Sequence, residues 1–173
     1  FKQKTAYEIP KRDWSSDVCS SDLRFYELAR SGFFDGQRIS RVVPGFIAQW
    51  GLHPDAGVIA AWKDATIPDD PPRVSNTKGT VAFAFGTPNG RATQVFVNLV
   101  DNTRLDAQGF APFGRVIAGM DVVERWYGDY GEKSGGGIRA GLQGPIEREG
   151  AAWLDRHYPK LDRILRVRIE SSR

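Results

Sequence analysis

Residues 41–51, RVVPGFIAQWG, set the terms on which the rest of the chain is read. Apolar and β-branched residues flank Pro44-Gly45, and Pro-Gly is turn chemistry, so the stretch reads as two strands joined by a turn or bulge. In the second strand the pleat sends Phe46, Ala48 and Trp50 to one face and Ile47 and Gln49 to the other. Phe46 can therefore sit beside Gln49 only if a bulge intervenes.

Moving outward, TVAFAFG (80–86) and TQVFVNL (93–99) are short Val- and Phe-rich strands with the turn residues TPNGRA between them. FGRVI (113–117) reads as another strand, and ILRVRIE (164–170) as a final alternating one. RFYELARSGFFDG spaces Phe25, Leu28 and Ala29 as a helix that stops near Gly32. A helical turn is expected near residues 60–63, a short helix over 119–126 and a second helix over 145–158. Residues 52–78 read as loop, with IPDDPP (67–72) as the firmest breaker, and the Gly-rich residues 127–145 as a mobile segment. Short strands with helices at the edges predict a mainly β protein, a closed or nearly closed barrel with capping helices.

The 173 residues suit one domain with a real core. Apolar residues make up 40% and charged residues 26%, ordinary for a globular protein. The 24 basic and 21 acidic residues are interspersed, so the net charge of +3 marks out no nucleic-acid surface. No apolar run approaches the roughly 18 residues of a membrane helix. The single cysteine rules out an internal disulfide framework.

Several motifs fail on inspection. In GDYGEKSGGG the glycine that a phosphate loop needs before Lys133-Ser134 is Glu132. GGGIRA (135–140) matches a dinucleotide fingerprint in letters but follows no strand. His53 and His157 have no partners at ligand spacing, and no nucleophile elbow is present. Neither a metal nor a cofactor is expected. What remains is one arginine, two glutamines and large apolar residues on consecutive strands. Taken alone, Phe46 and Phe96 fit plain core packing, Arg41 a barrel border, and Gln49 and Gln94 hydrogen bonds to loop backbone.

Taken in order, RVVPGFIAQ, TQVF and LDAQGFAPFGRV (105–116) resemble the cyclophilin-type peptidyl-prolyl cis-trans isomerases. The likeness is greatest to a bacterial branch with a Gly-rich tail extension, and it runs from Arg24 to Glu170. It implies a cyclophilin-like β-barrel with capping helices and an enzyme that rotates Xaa-Pro bonds in unfolded or flexible polypeptides. By the resemblance Arg41 is catalytic, and Phe46, Ile47 and Gln49 are pocket residues. Ala84 and Phe85 meet the substrate backbone, Gln94 and Phe96 form the opposite wall, and Leu105 and Phe110 close the proline pocket. It also implies no cofactor, no nucleic-acid or membrane partner, and a monomer when complete. The alternative is a non-catalytic proline-peptide binding module or holdase that kept the pocket. Departures from the commoner pattern are Arg104 for tryptophan, Phe110 for histidine, Phe85 for asparagine and Trp50 in QWG for QGG. Arg104 argues against strong cyclosporin binding.

The family begins with two barrel strands, where this chain has residues 1–23. DWSSDVCSSDL (13–23) has neither a helical nor an alternating apolar period. Back-translated, it resembles a common sequencing-library adapter, and KQKTAYEI (2–9) resembles the outer primer of the same library in the same frame. Residues 2–23 are accordingly expected to be translated adapter DNA, and residues 1–23 to be a non-native segment and not a domain, with few core contacts. Residues 24–173 are expected to form the isomerase domain, with its first two strands missing and residues 127–158 as a Gly-rich loop plus helix extension. Sequencing the source gene upstream of the Arg24 codon should replace the adapter codons with codons for two short strands. Adapter codons in genomic DNA would overturn that expectation.

Overall fold

The computed structural model describes residues 6–8, 19–137 and 142–170. Strands too short to be stable alone are paired here into one antiparallel sheet. They are β1 (Ala6–Glu8), β2 (Arg41–Val43), β3 (Ile47–Trp50), β4 (Thr80–Phe83), β5 (Val95–Asn98) and β6 (Pro112–Ala118), in the order β1-β6-β4-β5-β3-β2. The fold is mainly β, as expected. The barrel does not close: among the described residues β1 and β2 are the two edges of the sheet.

β3, β4 and β5 are buried along their whole length, so both faces of the sheet's centre are covered. The two-residue period sorts their side chains. Ala48, Trp50, Val81, Phe83, Val95 and Val97 face the main core, which includes Phe25 and Leu28 of helix α1 (Ser20–Arg30). Ile47, Ala82 and Phe96 face the opposite side, with Ala84 and Leu105. Phe113 bridges the core aromatics, with ring centroids 5.2 Å from Phe25 and 5.1 Å from Phe83. Trp50 packs inward, edge-on to Trp126, and belongs to the core and not to the opposite face.

The start of α1 corrects one expectation. The helix begins at Ser20, Cys19 packs against the core and Ser21 is fully buried. The first-turn N–H groups of a helix need acceptors, and Cys19 offers no side-chain cap. Asp70 fills that role from the 67–72 loop, accepting from Ser20 N (2.9 Å), Ser21 N (2.9 Å) and Ser21 Oγ (2.6 Å). Burial pushes the pKa of the Cys19 thiol up to about 12. β1 pairs with β6 through Ala6↔Ala118 and Glu8↔Arg115, because an open strand edge offers unpaired backbone groups to any extended segment. The remainder of residues 1–18 lies outside the described residues.

Helix α2 (Ala56–Trp62) is capped by Asp55, which accepts from Gly57 N (2.7 Å) and Val58 N (3.1 Å). The short helix α3 (Met120–Val123) follows β6. The single helix expected over 145–158 is two, α4 (Gly144–Glu149) and α5 (Ala151–His157). Gly150 breaks it with φ +63°, where a Cβ would lie 2.0 Å from Pro54 O. Residues 164–170 form no strand. They run beside the 36–39 segment, with Ile164 N donating to Gln37 O (2.9 Å), and Ile164 and Val167 pack on the core. The alternation does not record that packing: Leu165 and Ile169 are exposed, and Ile164 and Val167 turn inward three residues apart. Nor are residues 127–137 loose: Gly131 bridges to Val42, and buried Ser134 donates to Ser40 O at 2.8 Å.

Asp70 also serves Arg91, whose side chain is 1% exposed and lies 3.3 Å from Asp70 and 3.3 Å from Asp69. Replacing Asp70 removes a helix cap and half the counter-charge of a buried cation at once. Asp70→Ala should therefore destabilise the protein by about 3 kcal/mol or more, read as a lowered midpoint in urea titration.

Candidate active site

The site is built on the β2–β3 hairpin. Phe46 N donates to Val43 O (3.0 Å), which closes a turn over residues 43–46 and leaves Phe46 just ahead of the first residue of β3. Phe46 is thus outside the pleat, free to join Ile47 and Gln49 on one side. A turn does what a bulge was expected to do. Its carbonyl is pinned by Leu99 N and Asn102 Nδ2, each at 2.9 Å.

Register places the polar groups. Arg41 stands opposite Gln49 across β2–β3, and Arg41 Nη1 donates to Gln49 Oε1 at 2.9 Å. Gln49 stands opposite Phe96 across β3–β5, and Ala82 opposite Phe96 on the other side. Buried Gln49 passes the chain on, with Nε2 donating to Gln94 Oε1 at 2.8 Å. Gln94 and Gln143 then exchange amide hydrogen bonds of 2.8 and 3.0 Å. Glu132 grips the other edge of the guanidinium, accepting from Arg41 Nε (2.8 Å) and Nη2 (2.6 Å).

Arg41, Phe46, Gln49 and Phe96 line a cleft of about 180 Å³. Every residue named from the sequence lines it except Gln94, which stands behind Gln49. Its floor is aromatic: Phe110 lies 4.5 Å from Phe85 and 5.6 Å, edge-on, from Phe96. Ala84 lines the wall, but its N–H already donates to Gln94 O (2.9 Å) and is not what it offers a ligand. Arg104 lies over the Phe46 ring at 4.6 Å, and Arg41 approaches the same ring at 5.7 Å. Among the described residues no group of three or more His, Cys, Asp or Glu could hold a metal ion.

Leu105 sits in a 3-10 helix (Thr103–Gln108) to which the sequence analysis assigns no element, and Phe110 follows it. Asp106 fastens it, accepting from Ser75 Oγ, Asn76 N (2.9 Å) and Asn76 Nδ2 (2.8 Å). Asn76 Nδ2 also donates to Phe110 O (2.8 Å), and Asn98 and Asn102 continue the network beneath. Burial alone would raise the Asp106 pKa. The bonds from Ser75 and Asn76 outweigh it and hold the carboxyl below its usual value of 3.8.

Glu132, Gln143, Gly137 and Gln108 were not anticipated at the site. None of them sits in a periodic segment, and Glu132 stood out only as the residue that spoils a phosphate loop.

A family model described as "Cyclophilin type peptidyl-prolyl cis-trans isomerase/CLD" matches residues 18–134. The chain belongs to the cyclophilin-type peptidyl-prolyl cis-trans isomerase family. Among its relatives, a peptidyl-prolyl cis-trans isomerase of Acinetobacter baylyi is 34% identical over 61% of this chain and 58% of its own length. Isomerase A of Dickeya dadantii is 32% identical, covering 58% of this chain and 56% of its own. For isomerase B of Escherichia coli the values are 31%, 64% and 73%. The chain thus spans somewhat over half the length of the first two of these relatives. A crystal structure of a cyclophilin-type isomerase of Cryptosporidium parvum, obtained in the presence of the dipeptide Ala-Pro, shares the fold. Its TM-score is 0.54 at 22% identity, over 68% of this chain and 77% of that one.

In this cyclophilin the lowered Asp106 pKa makes a stabilising contribution that is present at neutral pH and lost as pH falls through the folded-state value below 3.8. Asp106→Asn should lower Tm at pH 7 by about 4–8 °C. Between about pH 4 and pH 2 the Tm of the variant should fall less steeply than that of the parent. Thermal melts across that range check both.

Proposed function

We propose that this protein catalyses cis-trans isomerisation of Xaa-Pro bonds in unfolded or flexible polypeptides. The observation that carries the reading is a guanidinium, Arg41, at the rim of a cleft whose floor is aromatic and aliphatic. The reaction breaks no covalent bond. Its barrier of about 18–20 kcal/mol is the loss of C–N resonance as the amide twists. In the twisted state the proline nitrogen becomes pyramidal and gains a lone pair. A guanidinium donor aimed there is worth more in the transition state than in the planar ground state.

Position in the cleft supports each proposed role. Arg41 is the catalytic donor, and Gln49, backed by Gln94, holds one of its terminal nitrogens. Phe46, Phe96, Leu105 and Phe110 grip the pyrrolidine ring, with Ile47 beside them. Ala84 and Phe85 lie along the flanking substrate backbone, so one side of the bond stays fixed while the other turns. The protein acts as a monomer on proline-containing chains and not on nucleic acid, and no described helix is long and apolar enough to cross a membrane.

Arg41→Ala tests this. In a protease-coupled or NMR exchange assay it should lower kcat/KM by about 100- to 1000-fold, while affinity for a proline peptide stays largely intact. A parent protein that binds the peptide but does not speed the exchange would instead be a binding module or holdase.

A further inference from the structure

The family's arginine is held here from a second side, by a segment outside the sheet. Residues 127–137 cross the free edge of β2 as a strap. Gly131 bridges to Val42, and Ser134, fully buried, donates its hydroxyl to Ser40 O at 2.8 Å. Its glycines are the means of approach. A Cβ on Gly128 would lie 2.7 Å from Pro44 Cγ, and one on Gly135 would lie 2.8 Å from Ser40 O. The glycine run that looked like a phosphate loop is therefore a packing surface for β2. At its crest stands Glu132, the residue that disqualifies the phosphate-loop reading.

We propose that Glu132 is the positioning residue for Arg41, carried to the site by this Gly-rich strap. The inference rests on the isomerase reading above and assigns the strap a part in it. Glu132 takes Arg41 Nε and Nη2 in a side-on, two-bond grip at 2.8 and 2.6 Å, while Gln49 takes Nη1 at 2.9 Å. A guanidinium has five N–H donors, so this arrangement leaves one on each terminal nitrogen for a ligand in the cleft that Arg41 lines. Held from both sides, the planar fork cannot swing out of the site, and its remaining donors need no reorganisation when the amide twists. Gly137, farther along the strap, closes over the same group: a Cβ there would lie 3.5 Å from Arg41 Cζ.

The pair is poorly placed to act as a structural strut. The Glu132 side chain is 52% exposed, and an ion pair with so exposed a partner adds little to folding stability. Orientation of Arg41 is what it can supply. That difference makes the role separable by experiment.

The test uses the full chain with Glu132→Ala, Glu132→Gln, Arg41→Ala and the Arg41→Ala/Glu132→Ala double variant. Each is assayed for kcat, KM and Tm on one Xaa-Pro peptide. Glu132→Ala should lower kcat about tenfold or more, with KM and Tm nearly unchanged. Glu132→Gln should recover part of the loss, since an amide oxygen can accept one of the two bonds. In the Arg41→Ala background Glu132→Ala should have no further effect. An unchanged kcat in Glu132→Ala, or an equal further loss in the Arg41→Ala background, overturns the proposal. A parent chain without turnover defeats the isomerase reading instead. The Arg41 Nε–H resonance in NMR then still decides: it should shift and exchange faster with solvent in Glu132→Ala, and an unmoved resonance refutes the grip.

Discussion

β3 is hydrogen-bonded on both sides, to β2 through Arg41↔Gln49 and to β5 through Gln49↔Phe96, and the site depends on those two registers. They set an arginine, an amide and an aromatic ring in one row across three strands. A slip of one residue in either pairing would turn Gln49 into the core and bring Ala48 or Trp50 to the cleft. The slip is opposed by burial: Ala48, Trp50, Val95 and Val97 fill the main core on the opposite face. The hydrophobic core therefore fixes the polar site, because a pleated strand cannot move one face without moving the other.

A second constraint is the polar scaffolding under the cleft wall. Leu105 and Phe110 are apolar, yet what holds them is Asp106 with Ser75 and Asn76, and the Asn76–Asn98–Asn102 chain below. Arg91 reaches the same wall from the other direction, donating to Gly109 O at 2.9 Å while paired with Asp69 and Asp70. Buried polar groups of this kind are stabilising only when satisfied together. The same Asp70 caps α1, so the N-terminal helix and the cleft wall share one carboxylate.

The extension adds to the sheet instead of hanging from it. Its glycines let backbone lie against Ser40 and Pro44, its Glu132 reaches Arg41, and Gln143 completes the amide chain through Gln94. Neither the Glu132 contact nor the Gln143 contact lengthens the sheet or enlarges the core. Both converge on the polar row that the β3 registers create.

Strand period and turn chemistry, local properties carried by residues a few positions apart, were enough to read the mainly β fold. The roles of Arg41 and of the aromatic residues around it came only from the resemblance that the order RVVPGF–TQVF–LDAQGF carries. Local pattern misled at 164–170, where residues that alternate in sequence form no strand and leave Leu165 and Ile169 exposed, and where one glycine divides a helical run, as at Gly150. It said nothing of Asp70 as the cap of a helix about 50 residues earlier, of a sheet left open at β1 and β2, or of Glu132 on an arginine 91 residues away. Periodicity decides which face a side chain takes. Which charged group meets it there is decided by the path of the whole chain, and only the tertiary structure holds that.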